Sequence, residues 1–153
     1  MNDLPAQGAS GLAQRLEAAR SRDDAAAFLA CIPYARFLDL TAELAEGRVR
    51  LTLPFDPSLI GNTFLPAIHG GALAGLLEMT ASMELLWQHQ SIGLPKVVTT
   101  TVDFRRSAAA RDCYAQAEVT RLGRRLATVS VTAWQDASDR PVASAQAHFK
   151  LDR

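Results

Sequence analysis

No charge of either sign dominates this chain. Its 153 residues hold 16 Lys and Arg against 16 Asp and Glu, so the formal net charge is zero. That balance excludes a general nucleic-acid or anionic-membrane binder, which needs a basic surface. Cysteine is scarce: Cys31 and Cys113 stand apart with no metal-type spacing, and read as reduced structural thiols. No apolar run can span a bilayer, because Glu78 and Glu84 interrupt the strongest one. The opening Met-Asn-Asp-Leu-Pro lacks the basic start and apolar run of a secretion signal, so the expected location is the cytoplasm. Repeats and low-complexity segments are missing too. The remainder, 48% hydrophobic, suits one soluble domain with its own core.

What is present centres on residues 61–87. A loop with Asn62 and Pro66 runs into His69-Gly70-Gly71, and an apolar helix follows. Leu73, Leu76, Leu77, Thr80, Met83 and Trp87 recur at helical spacing and form one buried stripe. Gly71, Ala74, Gly75, Glu78 and Ser82 form a second face of small residues, where something can approach the backbone closely. Glu78 is the only ionisable side chain between Gly70 and Met83.

Upstream, residues 1–9 are expected to fray and residues 10–20 to form an exposed helix edged by Leu12 and Leu16. Asp23 can cap a short helix through Ala25–Leu29 that Pro33 ends, and Tyr34–Leu40 then leads into strands. Residues 39–45 and 48–54 read as a hairpin turning at Glu46-Gly47, with Val49, Leu51 and Leu53 on one face. After Gly93 and Pro95 come strands at 97–104, 114–120, 126–134 and 142–151, with connections short enough for antiparallel neighbours. Alanines 115, 117, 127, 133, 143, 145 and 147 crowd their inward faces. Such a surface lets a helix sit close, and only one helix is long and apolar enough. An α+β architecture follows: an antiparallel sheet wrapped around one long central helix, with a short helical N-terminal extension over 1–33 and the main domain over 34–153.

That arrangement, entered through Asn62…His69-Gly70-Gly71 and carrying an acid at Glu78, resembles the hot-dog fold acyl-CoA thioesterases, most of all their phenylacetate-degradation branch. Thr101-Val102-Asp103-Phe104-Arg105-Arg106 is similar to that family's strand after the helix, and Gly123-Arg124-Arg125-Leu126 to its next turn. The likeness covers roughly residues 34 to 151. Glu78 stands where the branch usually has aspartate, Ser107 replaces a frequent proline, and the gap between Asn62 and His69 is about one residue longer than usual. The resemblance implies an acyl-CoA substrate, with coenzyme A as part of that substrate and no separate cofactor or metal, and a homodimer, often a dimer of dimers. It places an oxyanion donor at the Gly70 N–H.

Thioester hydrolysis needs hydrogen-bond donors for the developing oxyanion and a base or nucleophile for the carbonyl carbon. A helix start offers unpaired N–H groups and a partial positive charge. Gly70 or Gly71 lets a substrate carbonyl come near, or simply permits a tight turn. Glu78 is the candidate base or nucleophile, and Ser82, one turn on, could hold its carboxylate or a water. His69 orients the loop, contacts the thioester or is structural. Asn62 bonds the thioester carbonyl or water, or caps a turn. His89 and His148 are expected to face solvent without a partner. Arg105, Arg106, Arg124 and Arg125 fall near strand ends, where one or two could meet the phosphates of coenzyme A. Trp87, Met83 and Phe64 are candidates to line an acyl pocket.

Spacing adds a constraint. Eight residues of helix separate Gly70 from Glu78 by about 12 Å, so one carbonyl cannot lie about 3 Å from both. If both act, Gly70 of one chain must meet Glu78 of another. Two other activities suit the same fold: a hydratase or dehydratase using a histidine with an acid, and a non-catalytic acyl-CoA binding protein.

Overall fold

In the computed structural model the central helix, α4, runs Gly70–Gln88. Residues 8–89 and 94–151 are described; of residues 1–9, expected to fray, Gly8 and Ala9 instead open the first helix, while residues 1–7 and the break at Gly93 lie outside the described residues. The helix is rich in Leu, Ala and Met and has one β-branched residue, Thr80, whose hydroxyl donates to the Leu76 carbonyl at 2.7 Å. Leu73, Leu76, Leu77, Thr80 and Met83 are buried, as the stripe predicts, while Trp87 is half-buried.

Six antiparallel strands wrap this helix in the order β1 (Thr41–Ala45), β2 (Arg48–Leu53), β6 (Cys113–Leu122), β7 (Leu126–Trp134), β8 (Ala143–Lys150) and β5 (Lys96–Phe104). A small hairpin, β3 (Ile60–Asn62) with β4 (Ala67–Ile68), leads into the helix. The β1–β2 turn falls at Glu46-Gly47, both with positive φ (54° and 75°), the type I′ geometry that matches strand twist. Val49, Leu51 and Leu53 point into the core with no exposed surface. Ala115, Ala117, Ala127, Ala133, Ala143 and Ala147 are buried beneath the helix, and their small side chains let the sheet curve around it. This is the hot-dog fold. No helix among the described residues is long and apolar enough to cross a membrane.

The N-terminal segment departs from the sequence expectation at two points. Asp24, not Asp23, caps α2 (Ala25–Leu29): its side chain accepts the Ala27 N–H at 2.9 Å, while Asp23 makes the turn with φ 52°. Pro33 does not merely end that helix. It starts another, α3 (Pro33–Phe37), because proline suits a first helical position, where its missing N–H has no partner to lose. Tyr34 to Phe37 are therefore helical. Residues from α1 (Gly8–Arg20) and α2, including Leu16, Ala19, Phe28 and Leu29, join the same core as the sheet. Arg20 reaches the far end of α4 and donates to the His89 carbonyl at 3.5 Å. His148 also has a partner, Thr128, whose hydroxyl lies 3.1 Å from its Nδ1. Burial pushes the Cys113 thiol up to about 11, as suits an inert structural cysteine.

Among the described residues Glu84 is the buried charge-bearing group of the core, with 2% of its surface exposed. The pairing of β2 with β6 begins only at Arg50, and Glu84 takes up the Val49 N–H at 2.9 Å; the Gln88 side-chain amide donates to its other oxygen at 3.1 Å. Burial raises the pKa of Glu84, while the Val49 N–H, Gln88 and the charge of Arg48 oppose the rise. A carboxyl whose folded pKa is raised favours the fold in its protonated form. Its contribution is present at low pH and is lost as pH rises from the unfolded value through the raised folded one. Glu84→Gln removes that loss and can still accept the Val49 N–H. Urea unfolding at several pH values should show the variant gaining on the parent as pH rises across that interval. Glu84→Leu, which leaves the N–H unpaired, should cost about 1–3 kcal/mol.

Candidate active site

The loop before α4 is built around the histidine that caps it. His69 has an extended backbone, and its Nδ1 accepts the Gly71 N–H at 2.9 Å. A ring nitrogen that accepts carries no proton, so the neutral ring holds its proton on Nε2. The His69 carbonyl takes the N–H groups of Ala72 and Leu73 at 3.0 and 3.3 Å. Of the first four helix N–H groups, Gly70's alone has no hydrogen-bond partner among the described residues. The His69 N–H donates to the Leu59 carbonyl at 2.7 Å, and Gly61 lies flat against the residue. A methyl group on Gly61 would sit 2.7 Å from His69 Cα.

The glycines at the helix mouth serve neighbours of this same chain. A β-carbon on Gly70 would lie 3.0 Å from Cζ of Phe104, whose ring covers that residue while remaining 56% exposed. One on Gly71 would crowd His69 Nδ1 at 2.9 Å. The small-residue face is not open along its length, because Tyr34 and Leu38 lie against Gly75. Alternation on the helix could not show that, since the covering side chains come from α3 and the residue that ends it.

Glu78 is half-buried, and its Oε2 accepts a hydrogen bond from the Thr100 hydroxyl on β5 at 3.2 Å. Sequence reasoning did not single out Thr100, although strand alternation places it on one face with Val102 and Phe104. Ser82 is half-buried on the next turn, and no hydrogen bond joins it to Glu78. The helix and β5 run antiparallel: Gly70 lies beneath Phe104 and Glu78 beside Thr100. Four strand residues span about 13 Å, which matches the 12 Å or so of eight helix residues. The two halves of the proposed chemistry are held apart within one chain.

Asn62 stays with its turn. Its Oδ1 accepts the N–H groups of Phe64 and Leu65 at 3.0 and 3.4 Å. The proposed acyl-pocket residues are not gathered: Met83 is fully buried in the core, and Phe64 stands 96% exposed at the hairpin tip. The four arginines divide. Arg105 and Arg106 follow β5 at the end near Gly70, both with backbone N–H groups on the Val142 carbonyl, and Arg105 Nε donates to Ser144 at 3.0 Å. Arg124 and Arg125 lie in the β6–β7 turn, at the opposite end where Leu126 and Lys96 both pair with Lys150. Among the described residues no group of three His, Cys, Asp or Glu side chains could hold a metal ion.

Residues 62–150 match the family model described as acyl-CoA thioesterase N-terminal domain. Among solved structures, a Chromobacterium violaceum protein is 35% identical, with 92% of this chain and 98% of that one covered and a TM-score of 0.74. A Ralstonia eutropha protein, described as a thioesterase candidate related to phenylacetic acid degradation, shares the fold at 20% identity, 78% and 90% coverage and TM-score 0.69. A Bacillus halodurans protein solved with CoA shares it at 19% identity, 100% and 96% coverage and TM-score 0.66. No curated protein matches this chain.

Gly61→Ala forces its new methyl into the backbone of His69, so thermal unfolding should show a loss of about 1–3 kcal/mol. Gly11→Ala, which meets nothing within 4 Å inside α1, should be neutral or stabilising by up to about 1 kcal/mol.

Proposed function

The chain belongs to the acyl-CoA thioesterase N-terminal domain family, and from that premise we propose that it hydrolyses an acyl-CoA thioester to the free acid and CoA at sites shared between two copies of itself. The observation that carries this reading is the placement of the two chemical halves along one strand. Gly70 offers its unpaired N–H beneath Phe104, and Glu78 stands about 13 Å away beside Thr100.

β5 is an edge strand, with Val97, Val98 and Phe104 40%, 61% and 56% exposed. A long β-branched edge invites pairing with another strand. If two β5 strands pair antiparallel about Val102, Thr100 of one lies opposite Phe104 of the partner subunit. That register carries Glu78 of one chain to the helix mouth of the other, twice per dimer.

There the Gly70 N–H donates to the carbonyl oxygen as negative charge develops on it, a contribution typically worth about 2.7–4 kcal/mol. Glu78 of the other copy withdraws a proton from water as the water oxygen attacks the carbonyl carbon. Alternatively its carboxylate attacks directly and water opens the resulting anhydride. Either way the C–S bond breaks, the electron pair leaves with sulfur, and the CoA thiolate takes up a proton. Thr100 orients the carboxylate. Gly71 contributes space for the His69 cap, and Ser82 stands by the next turn of the same face. A hydratase reading finds less support, because it needs a histidine nitrogen free to accept a proton. Nδ1 of His69 already accepts from Gly71, and in the neutral ring its Nε2 bears the proton.

Glu78→Gln should lower thiol release from acyl-CoA by at least 100-fold while sedimentation still shows the dimer. Mixing it with a Gly70→Val variant should restore activity that neither has alone, since one composite site in each mixed dimer is intact. Full activity of a monomer would defeat the proposal.

A further inference from the structure

Two elements flank the helix surface that carries Glu78. On one side stands β5, with the Thr100 hydroxyl 3.2 Å from the Glu78 carboxylate and Phe104 over Gly70. On the other stands α3, where Tyr34 and the residue that ends the helix, Leu38, lie against Gly75. A β-carbon on Gly75 would sit 2.6 Å from the Tyr34 hydroxyl oxygen and 3.0 Å from Cδ1 of Leu38. At about 100° per residue, Gly75 lies roughly 60° round the helix from Glu78, and Gly70 roughly 80° round the other way. Three residues also make Gly75 a surface neighbour of Glu78, one turn nearer the helix mouth.

Tyr34 is held in place and still faces open space. Its ring stacks on Phe37 with centroids 6.1 Å apart and planes 16° from parallel, and it stays 46% exposed. Leu38 behind it is buried. The Tyr34 hydroxyl makes no hydrogen bond among the described residues, so the side chain acts on Gly75 through its bulk. The helix surface shows where a group lying against Glu78 can extend. Towards the C-terminus only Ser82 is half-buried before Leu85 and Leu86 enter the core. Towards the mouth Ala74 is half-buried and Gly71 exposed, and neither carries more than a methyl group. The room therefore lies on the mouthward side of Glu78, between β5 and Tyr34.

We infer that Tyr34, backed by Leu38, determines specificity by walling the space beside Glu78, and that this wall restricts the substrate to small acyl groups. The inference rests on the proposed thioesterase activity, which puts the thioester carbonyl at Glu78. The acyl carbons then extend over Ala74 towards the mouth, and a longer chain meets the Tyr34 ring. The part comes from α3 rather than from Trp87, Met83 or Phe64. An apolar space of fixed size discriminates by about 10–200-fold for each methylene that it takes or refuses.

Thiol release from butanoyl-CoA and octanoyl-CoA reads the wall as a ratio. The parent should favour butanoyl-CoA, and Tyr34→Ala should raise kcat/KM for octanoyl-CoA relative to butanoyl-CoA about tenfold or more. Tyr34→Phe, which keeps the ring, should keep the parent's ratio. A loosened fold alone would lower both values together and leave the ratio where it was. An unchanged ratio in Tyr34→Ala, or a parent that already prefers octanoyl-CoA, overturns the inference and leaves the thioesterase reading standing. Titration calorimetry with S-(2-oxopentyl)-CoA and S-(2-oxononyl)-CoA, thioethers that cannot be hydrolysed, tests the wall without turnover. The parent should bind the shorter one more tightly, and Tyr34→Ala should narrow that gap about tenfold or more. That result with no thiol release from any acyl-CoA keeps the wall and ends the thioesterase reading instead. No binding of either thioether by the parent, with no thiol release, overturns both.

Discussion

A helix lies close to a curved sheet only where the sheet leaves it room, and the alanine-rich inner faces of β6, β7 and β8 provide that room. Ala115, Ala117, Ala127, Ala133, Ala143 and Ala147 are buried beneath α4, and Leu76, Leu77 and Met83 fill the space above them. Burial of each large aliphatic side chain is worth about 1.5–3 kcal/mol, so sliding or turning the helix would forfeit several such contributions at once. The position of α4 on the sheet is therefore rigid. Everything at the site inherits that rigidity: the helix mouth cannot leave Phe104, nor Glu78 move away from Thr100, without unpacking the core.

The two carboxylates of α4 meet different fates on this scaffold. Glu84 is drawn into the interior, where an otherwise unpaired strand N–H and a glutamine amide satisfy it. Glu78, six positions earlier, stays half-buried with one hydroxyl partner at the edge strand. Helical periodicity separates the two faces, but the sheet alone determines which face is dry. The one that remains lies beside an edge strand and keeps a path to water.

Much of the architecture was legible because it depends on local pattern. Strand alternation put Val49, Leu51, Leu53 and the alanines on inward faces, and the apolar stripe located the central helix. The errors came where the outcome hung on one residue's partner. Asp24 rather than Asp23 caps α2, since only Asp24 reaches the Ala27 N–H. Pro33 opens a helix as readily as it closes one. Asn62 caps its own turn, one of the two roles its sequence left open, and the small-residue face admits a close neighbour at Gly75, Tyr34 from α3. None of these pairings leaves a periodic trace.

From its order of residues alone the chain determined its elements, its buried stripe and the roughly 12 Å between Gly70 and Glu78, because helix rise is a property of the backbone. Folding decided who meets whom: Thr100 with Glu78, Phe104 over Gly70, and Tyr34 against Gly75. Such contacts join residues far apart in the chain, and only packing of the helix against the sheet brings them together.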